Sequence, residues 1–304
     1  MSSILTNSAA LSALQSLNMT QQALHTVQGQ VSTGLAVANA ADNAAYWSIA
    51  TQLGADSGMV TASNSALTQS QAVLDTANTA IKSIITTINS IQQALTQATN
   101  PTASLTNINT TLASLGQQLT DAVTGASFNG LNVLDGSSVA GSTSTISFVS
   151  GFNATTNNVT SISMGLTALY TANSGGGAGT GTLGAAVGTT AAAGTYDVTQ
   201  LGATGGTTVT AANAQDILTA VNSALNSITN YAASIGATQD RMSSISNLNS
   251  QLTTNYSNGI SGLVDADMNT ASTRLQALQT QQQLGIQSLS IANQNAQLIL
   301  KLFP

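Results

Sequence analysis

What most constrains this chain is a spacing: apolar residues recur at alternating steps of three and four along both of its ends. Near the start the series runs Ala10, Leu14, Leu17, Gln21, Leu24, Gln28, Val31, Leu35. A second runs Leu67, Ser70, Leu74, Ala77, Ile81, Ile84, Ile88, Ile91, Leu95, Ala98, and Pro101 ends that helix by removing a donor and clashing with the preceding turn. A third holds Leu105, Ile108, Leu112, Leu115, Leu119 and Ala122. After a long break the pattern resumes at Ile217, Val221, Ala224, Ile228, Tyr231 and Ile235 and carries on through Met242 to Tyr256. The last series is Met268, Ala271, Leu275, Leu278, Gln282, Gly285, Leu289, Ala292, Ala296, Ile299, Phe303. This is the heptad pattern of helices that pack along a seam. At ~1.5 Å per residue, the last series alone makes a rod too long for a compact globule, so it requires partners.

Between the helical halves the period changes. Ile146, Phe148, Val159, Ile162 and Met164 alternate around Gly151 and Asn157-Asn158, which predicts a β-hairpin. Residues 171–210 contain eleven Gly among Thr, Ala and Ser, with almost nothing to build a core, and read as an exposed insertion. The expected fold is therefore mainly α with a small β part. It is a long antiparallel helical hairpin or coiled-coil bundle from both chain ends, with a β-hairpin and a short Gly/Thr-rich insertion in the middle.

Charge now becomes informative. Only 5% of residues are charged, all ten acids are Asp, and the cations are Lys82, Arg241, Arg274 and Lys301. Proteins that meet water over most of their surface carry far more charge. A sparsely charged surface suits burial against copies of the same chain, because an amide or hydroxyl is cheaper to satisfy in an interface than an ion. Four scattered cations form no basic stripe, which excludes nucleic-acid binding by phosphate neutralisation. Polar residues interrupt every apolar run and the N-terminus lacks a basic region, so neither a membrane span nor a Sec signal peptide is expected.

No catalytic, metal or cofactor site follows from the residues. Cys is absent, which removes thiolate ligands and disulfides, and His25 is the only histidine, without any Glu beside it. His25 reads as a helix-packing residue. Asp265 and Asp267 read as a cap pair opening the last helix rather than a cation site. Tyr46 and Trp47 read as bulky anchors in a joint between bundles.

Short motifs at both ends carry a resemblance. Ile4-Leu5-Thr6-Asn7 followed by Ala10-Leu11, Gln30-Val31-Ser32-Thr33-Gly34-Leu35, the stretch ADNAAYWSIA at 41–50 and Ser127-Phe128-Asn129-Gly130 resemble the N-terminal region of bacterial flagellins of the alphaproteobacterial type. Ile235-Gly236-Ala237 with Gln239-Asp240-Arg241-Met242, and the helix at 263–294, resemble the C-terminal region. The match spans roughly two-thirds of the chain, in order. It departs from the family at Gln30, where an Arg is frequent, and in its thinned charge.

The resemblance implies a non-enzymatic subunit that polymerises with itself into the flagellar filament used for swimming. It implies terminal helices at 1–42 and 262–304 lining an inner tube. An outer-tube bundle with its β-hairpin follows at 43–170 and 211–261, and a solvent-facing insertion at 171–210. It also implies export, unfolded, through the flagellar export apparatus, with an export chaperone and the filament cap as further partners, and a secreted, extracellular location. The runner-up is a minor axial protein such as the hook–filament junction protein. A surface adhesin would instead show repeated strands through most of the chain. The polymerisation interface is expected along Leu14, Leu17, Leu24, Val31 and Leu35 facing Leu275, Leu278, Leu289, Ile299 and Phe303, with Gln21, Gln28 and Gln282 as polar register marks in the seam.

Overall fold

The computed structural model describes residues 7–135, 145–156, 158–170, 181–183, 186–187, 195–203 and 206–302, with side chains described throughout except at 186–187, 195–196 and 295–302. Five helices carry it: α1 (Ser8–Thr33), α2 (Ala44–Ala98), α3 (Leu105–Thr124), α4 (Ala214–Val264) and α5 (Met268–Leu302). Four short strands lie between α3 and α4: β1 (Thr145–Asn153), β2 (Asn158–Gly165), β3 (Ala186–Val187) and β4 (Thr195–Tyr196). The chain divides into two compact units, one of residues 1–58 with 253–304, the other of residues 59–252.

The second unit holds the main core. Leu67, Leu74, Ile81, Ile84, Ile88, Ile91 and Leu95, the apolar heptad positions of α2, are fully or almost fully buried. They pack with Leu112 and Leu119 of α3 and with Ile217, Val221, Ile228, Ile235 and Met242 of α4. Each such side chain is worth roughly 1.5–3 kcal/mol relative to exposure. The two long helices run antiparallel here. Gln239 Nε2 donates to Asp75 at 2.7 Å, while Gln92 Nε2, further along α2, donates to Asn222, earlier in α4, at 2.8 Å. Tyr231 of α4 sends its hydroxyl to the Val133 carbonyl at 2.7 Å, and burial pushes its phenol up to about 12.

The Phe-Asn-Gly motif has a local explanation. Asn129 and Gly130 both have positive φ, and Phe128 and Leu131 exchange N–H···O=C bonds of 2.9 and 3.0 Å across them. That is the signature of a type I′ two-residue hairpin turn.

The β-hairpin forms as expected, with Ile146 opposite Met164 and Phe148 opposite Ile162, all four buried. A bulge between Val149 and Gly151 turns the strand, and Asn249 of α4 donates to the carbonyl of Ser150 there at 2.9 Å. Val159 corrects the expected pattern: it sits an odd number of residues from Ile162, so the period of two puts it on the open face, exposed. Asn157 lies outside the described residues.

The expectation that 171–210 builds no core is corrected. Leu183, Val198, Leu201 and Val209 are buried in the main core. Backbone bonds run as a ladder from Leu134 to Leu169, from Leu169 to Leu183 and from Leu183 to Val198. Residues 197–203 and 206–209 then lie across α3 as a strap. The short 3-10 helix Val198–Gln200 is capped by the buried Asp197, which accepts from the Thr199 amide at 2.9 Å. Asn109 of α3 holds both polar groups of Val209, accepting from its N–H at 2.8 Å and donating to its C=O at 3.0 Å. The fit leaves no slack: a Cβ on Gly116 would lie 2.1 Å from the Thr199 carbonyl oxygen. Residues 171–180, 184–185, 188–194 and 204–205 lie outside the described residues.

In the first unit, α1 and α5 run antiparallel. Asn7 caps α1, accepting from the Ala10 amide, and its amide donates to the carbonyl of Ala292 near the far end of α5 at 3.0 Å. Gly34, at φ 75°, stops α1 in the left-handed conformation that a side chain resists, and its N–H closes on Gln30. The Ser-Thr-Gly-Leu motif is thus a helix stop. Beyond it the backbone splices onto the α4–α5 connection: Leu35 pairs with Asp265, Ala36 and Val37 donate to Val264, and Ala266 donates to Gly34.

Candidate functional site

The residues that stand out for function are apolar side chains of the first unit. Among the described residues there is no group of three or more His, Cys, Asp or Glu that could hold a metal ion, and no helix long and apolar enough to cross a membrane.

The ten residues expected at the interface fall into distinct positions. Leu24 and Leu278 are buried against each other, with Val31 and Leu275 packed on them. Leu17 is half-buried over Gly285, where an added methyl would sit 3.2 Å from its Cδ1. Leu35 is half-buried at its bridge to Asp265, and Leu289 is half-buried on α5. Leu14 is 46% exposed. Ile299 lies in α5 with its side chain outside the description, and Phe303 lies outside the described residues altogether.

Two kinds of residue were missed. Val27 is buried in the α1–α5 seam at the point where the heptad series runs through Gln28. Gln21 and Gln28 are exposed, and only Gln282 is half-buried, so the register inside the chain is set by the Asn7 bond and the Leu35–Asp265 splice instead. The Leu24, Val27, Val31 spacing of three and four would have found Val27. His25 is exposed rather than packed. The second kind is the outer apolar set: Leu11, 60% exposed, with Met19, Leu284, Ile286 and Ile291. A pair of helices can cover only one stripe of each partner, and these residues lie off that stripe. A shallow groove beside Leu11, Leu14 and Met19, edged by Ser12, Gln15 and Gln22, carries no charge.

Asp267 does cap α5, accepting from the amides of Asn269 and Thr270 and from the Thr270 hydroxyl. Asp265 does not share that role, because it accepts from Ser261 in the last turn of α4. The bonds from Thr270 and Asn269 hold the Asp267 carboxyl below the usual aspartate range. Its folded value is depressed relative to the unfolded chain, so its help to α5 is present above the ordinary aspartate value. That help is lost as pH falls through the folded value. Helicity followed by circular dichroism from about pH 5 to about pH 2 should fall less steeply in Asp267→Asn, which keeps a capping oxygen without a titratable proton. An identical slope in both proteins would refute the assignment.

Paired terminal helices that leave large apolar side chains such as Leu11, Leu14 and Ile291 exposed, joined to a helical bundle, have the build of a self-assembling structural subunit. The comparisons with known proteins give the family. The model of the bacterial flagellin N-terminal helical region matches residues 4–139, and that of the C-terminal helical region matches residues 218–303. Flagellin C of Rhizobium meliloti is 37% identical over 323 residues, covering 100% of this chain and 99% of that protein. Flagellin of Brucella melitensis is 35% identical over 311 residues and flagellin FljO of Caulobacter vibrioides 33% over 306, each with 100% of this chain and 99% of the relative covered. The chain belongs to the bacterial flagellin family, a family of structural proteins, and is a structural subunit of the flagellar filament. Full-length likeness to proteins named flagellin favours this over a minor axial protein.

Proposed function

We propose that the polymerisation interface divides its residues between two tasks. Leu17, Leu24, Val27, Val31, Leu275 and Leu278 join α1 to α5 within a subunit. Leu14, with Leu11, Met19, Leu284, Ile286 and Ile291, docks that pair onto neighbouring subunits, and Leu289, Ile299 and Phe303 extend the contact toward the chain end. The carrying observation is the outer apolar face on both helices of the pair, left uncovered by the chain itself. The contact is heterologous, so a rotation that does not close builds an open helix rather than a ring.

In this reading residues 1–42 and 262–304 line the inner tube, and 43–170 with 211–261 form the outer wall with the β-hairpin. Residues 171–210 face outward, tied down by their buried anchors. The subunit leaves the cell through the flagellar export apparatus, kept from premature association by an export chaperone, and adds beneath the filament cap. These partners rest on family membership.

Seeded assembly of purified monomer, followed by electron microscopy, tests the division. Leu14→Asn should leave the monomer's melting unchanged and raise the critical concentration about 10- to 100-fold, the worth of one apolar side chain. Wild-type assembly by Leu14→Asn would remove the outer face from the interface.

A further inference from the structure

At its start α2 has six successive exposed residues, Ala44, Ala45, Tyr46, Trp47, Ser48 and Ile49. At 3.6 residues per turn these sweep past a full circle, so no side of this stretch is packed. Tyr46 is 47% exposed, Trp47 40% and Ile49 49%. The stretch is nevertheless well formed: Asn43 caps it, accepting from the Tyr46 amide at 3.2 Å through its side chain and from the Trp47 amide at 2.9 Å through its carbonyl. Ser48, Thr51 and Gln52 share one side, and Tyr46, Trp47 and Ile49 spread over the rest; so broad an apolar surface belongs in an interior. Here the interior is missing from the single chain.

The local chemistry says what supplies it. No charge occurs between Asp42 and Asp56, so nothing in the stretch recognises a charged partner. Its polar residues are the Ser, Thr, Asn and Gln that make up the rest of this chain's surface. A single foreign partner would cover one side, whereas a helical polymer sets copies around every subunit. Trp and Tyr are the side chains that most often dominate binding at such contacts.

We propose that the turn 44–49 is buried between neighbouring copies of this chain in the filament, with Trp47 as its anchor and Tyr46 and Ile49 beside it. The proposal rests on the filament reading and adds to it a contact outside the paired terminal helices. It also accounts for the one Trp of the chain standing in water in the lone subunit.

Because Trp47 is the sole tryptophan, its emission reports this site alone. On seeded assembly of the full chain, emission should move to shorter wavelength and acrylamide quenching should fall several-fold. Trp47→Ala should raise the critical concentration by about 30-fold or more, the mark of an interface anchor. Its circular dichroism and melting should match the wild type, and Trp47→Phe should recover much of the assembly. Filaments in which Trp47 stays as quenchable as in the monomer overturn the proposal alone, as does assembly of Trp47→Ala at the wild-type concentration. An emission shift on phosphatidylcholine vesicles, with none on assembly, overturns it in favour of a lipid surface. Failure of the wild-type monomer to form filaments on seeds overturns the filament reading and this inference with it.

Discussion

Deleting residues 290–304 should leave a soluble monomer that forms no filaments at any practical concentration. The deletion removes Ile291 from the outer apolar set and Ala292, whose carbonyl holds the capping Asn7 of α1. Ala296, Ile299 and Phe303 go with them, the last positions of the heptad series. The first turns of α1 then lose their partner, and a helix of that length without tertiary support is marginal in water. On the proposed interface, several apolar contacts at roughly 1.5–3 kcal/mol each disappear from every subunit junction, which takes assembly past any accessible concentration. The core of the second unit, built from residues 59–252, is untouched, so its melting should persist. Sedimentation and electron microscopy after seeding check the first claim and calorimetry the second. Filaments of normal length from the truncated chain would show that the end of α5 is dispensable.

Deleting residues 175–206 should unfold the second unit, contrary to what the Gly-rich composition suggests. The cut removes Leu183, Val198 and Leu201, all fully buried, and leaves Gly116 of α3, which packs on the Thr199 backbone, facing a void. Truncating one buried Leu typically costs about 2–5 kcal/mol, and three such losses rival the whole stability of an ordinary domain. A smaller cut separates the two readings. Val187 and Thr195 are paired across β3 and β4, so replacing residues 188–194 with Asn-Gly closes a tight hairpin and spares every anchor. The short replacement should melt cooperatively near the wild type, while the long deletion should show no cooperative transition and rapid proteolysis. Gly116→Ala, which forces the strap off α3, should fall between them. A stable long deletion would return the segment to the status of a surface insertion.

The helices were legible because their apolar residues keep a period: it picks out the buried positions Ile81 to Leu95 of α2 and Ile217 to Ile235 of α4, while in α3 Gly116 and Val123 are buried where the series has Leu115 and Ala122. The start of α2 was not, since two of its three buried positions before Leu67, Asp56 and Ser63 beside Val60, are polar, and the turn around Trp47 is exposed on all sides. The strap was hidden for a different reason. Leu183, Val198, Leu201 and Val209 are isolated among Gly and Thr, without a period, and their partners lie on α3, far away in the chain. At the interface the pairing of Leu24 with Leu278 could be read from the heptads. Val27 was legible too, as the apolar one of the two positions that keep steps of three and four between Leu24 and Val31, the other being Gln28.

The antiparallel union of α1 with α5 makes each subunit its own certificate of completeness. More than two hundred residues separate Thr33 from Met268, so α1 has no mate while the chain is still being made. Closing a loop of that size costs entropy that only contacts with α5 repay. A product of premature termination carries α1 and the splice residues Gly34–Val37 but neither Val264 nor Ala266 to receive them. It therefore presents no paired rod for a neighbour to grip. On the proposed interface, geometry alone bars such fragments from the filament before any protease acts.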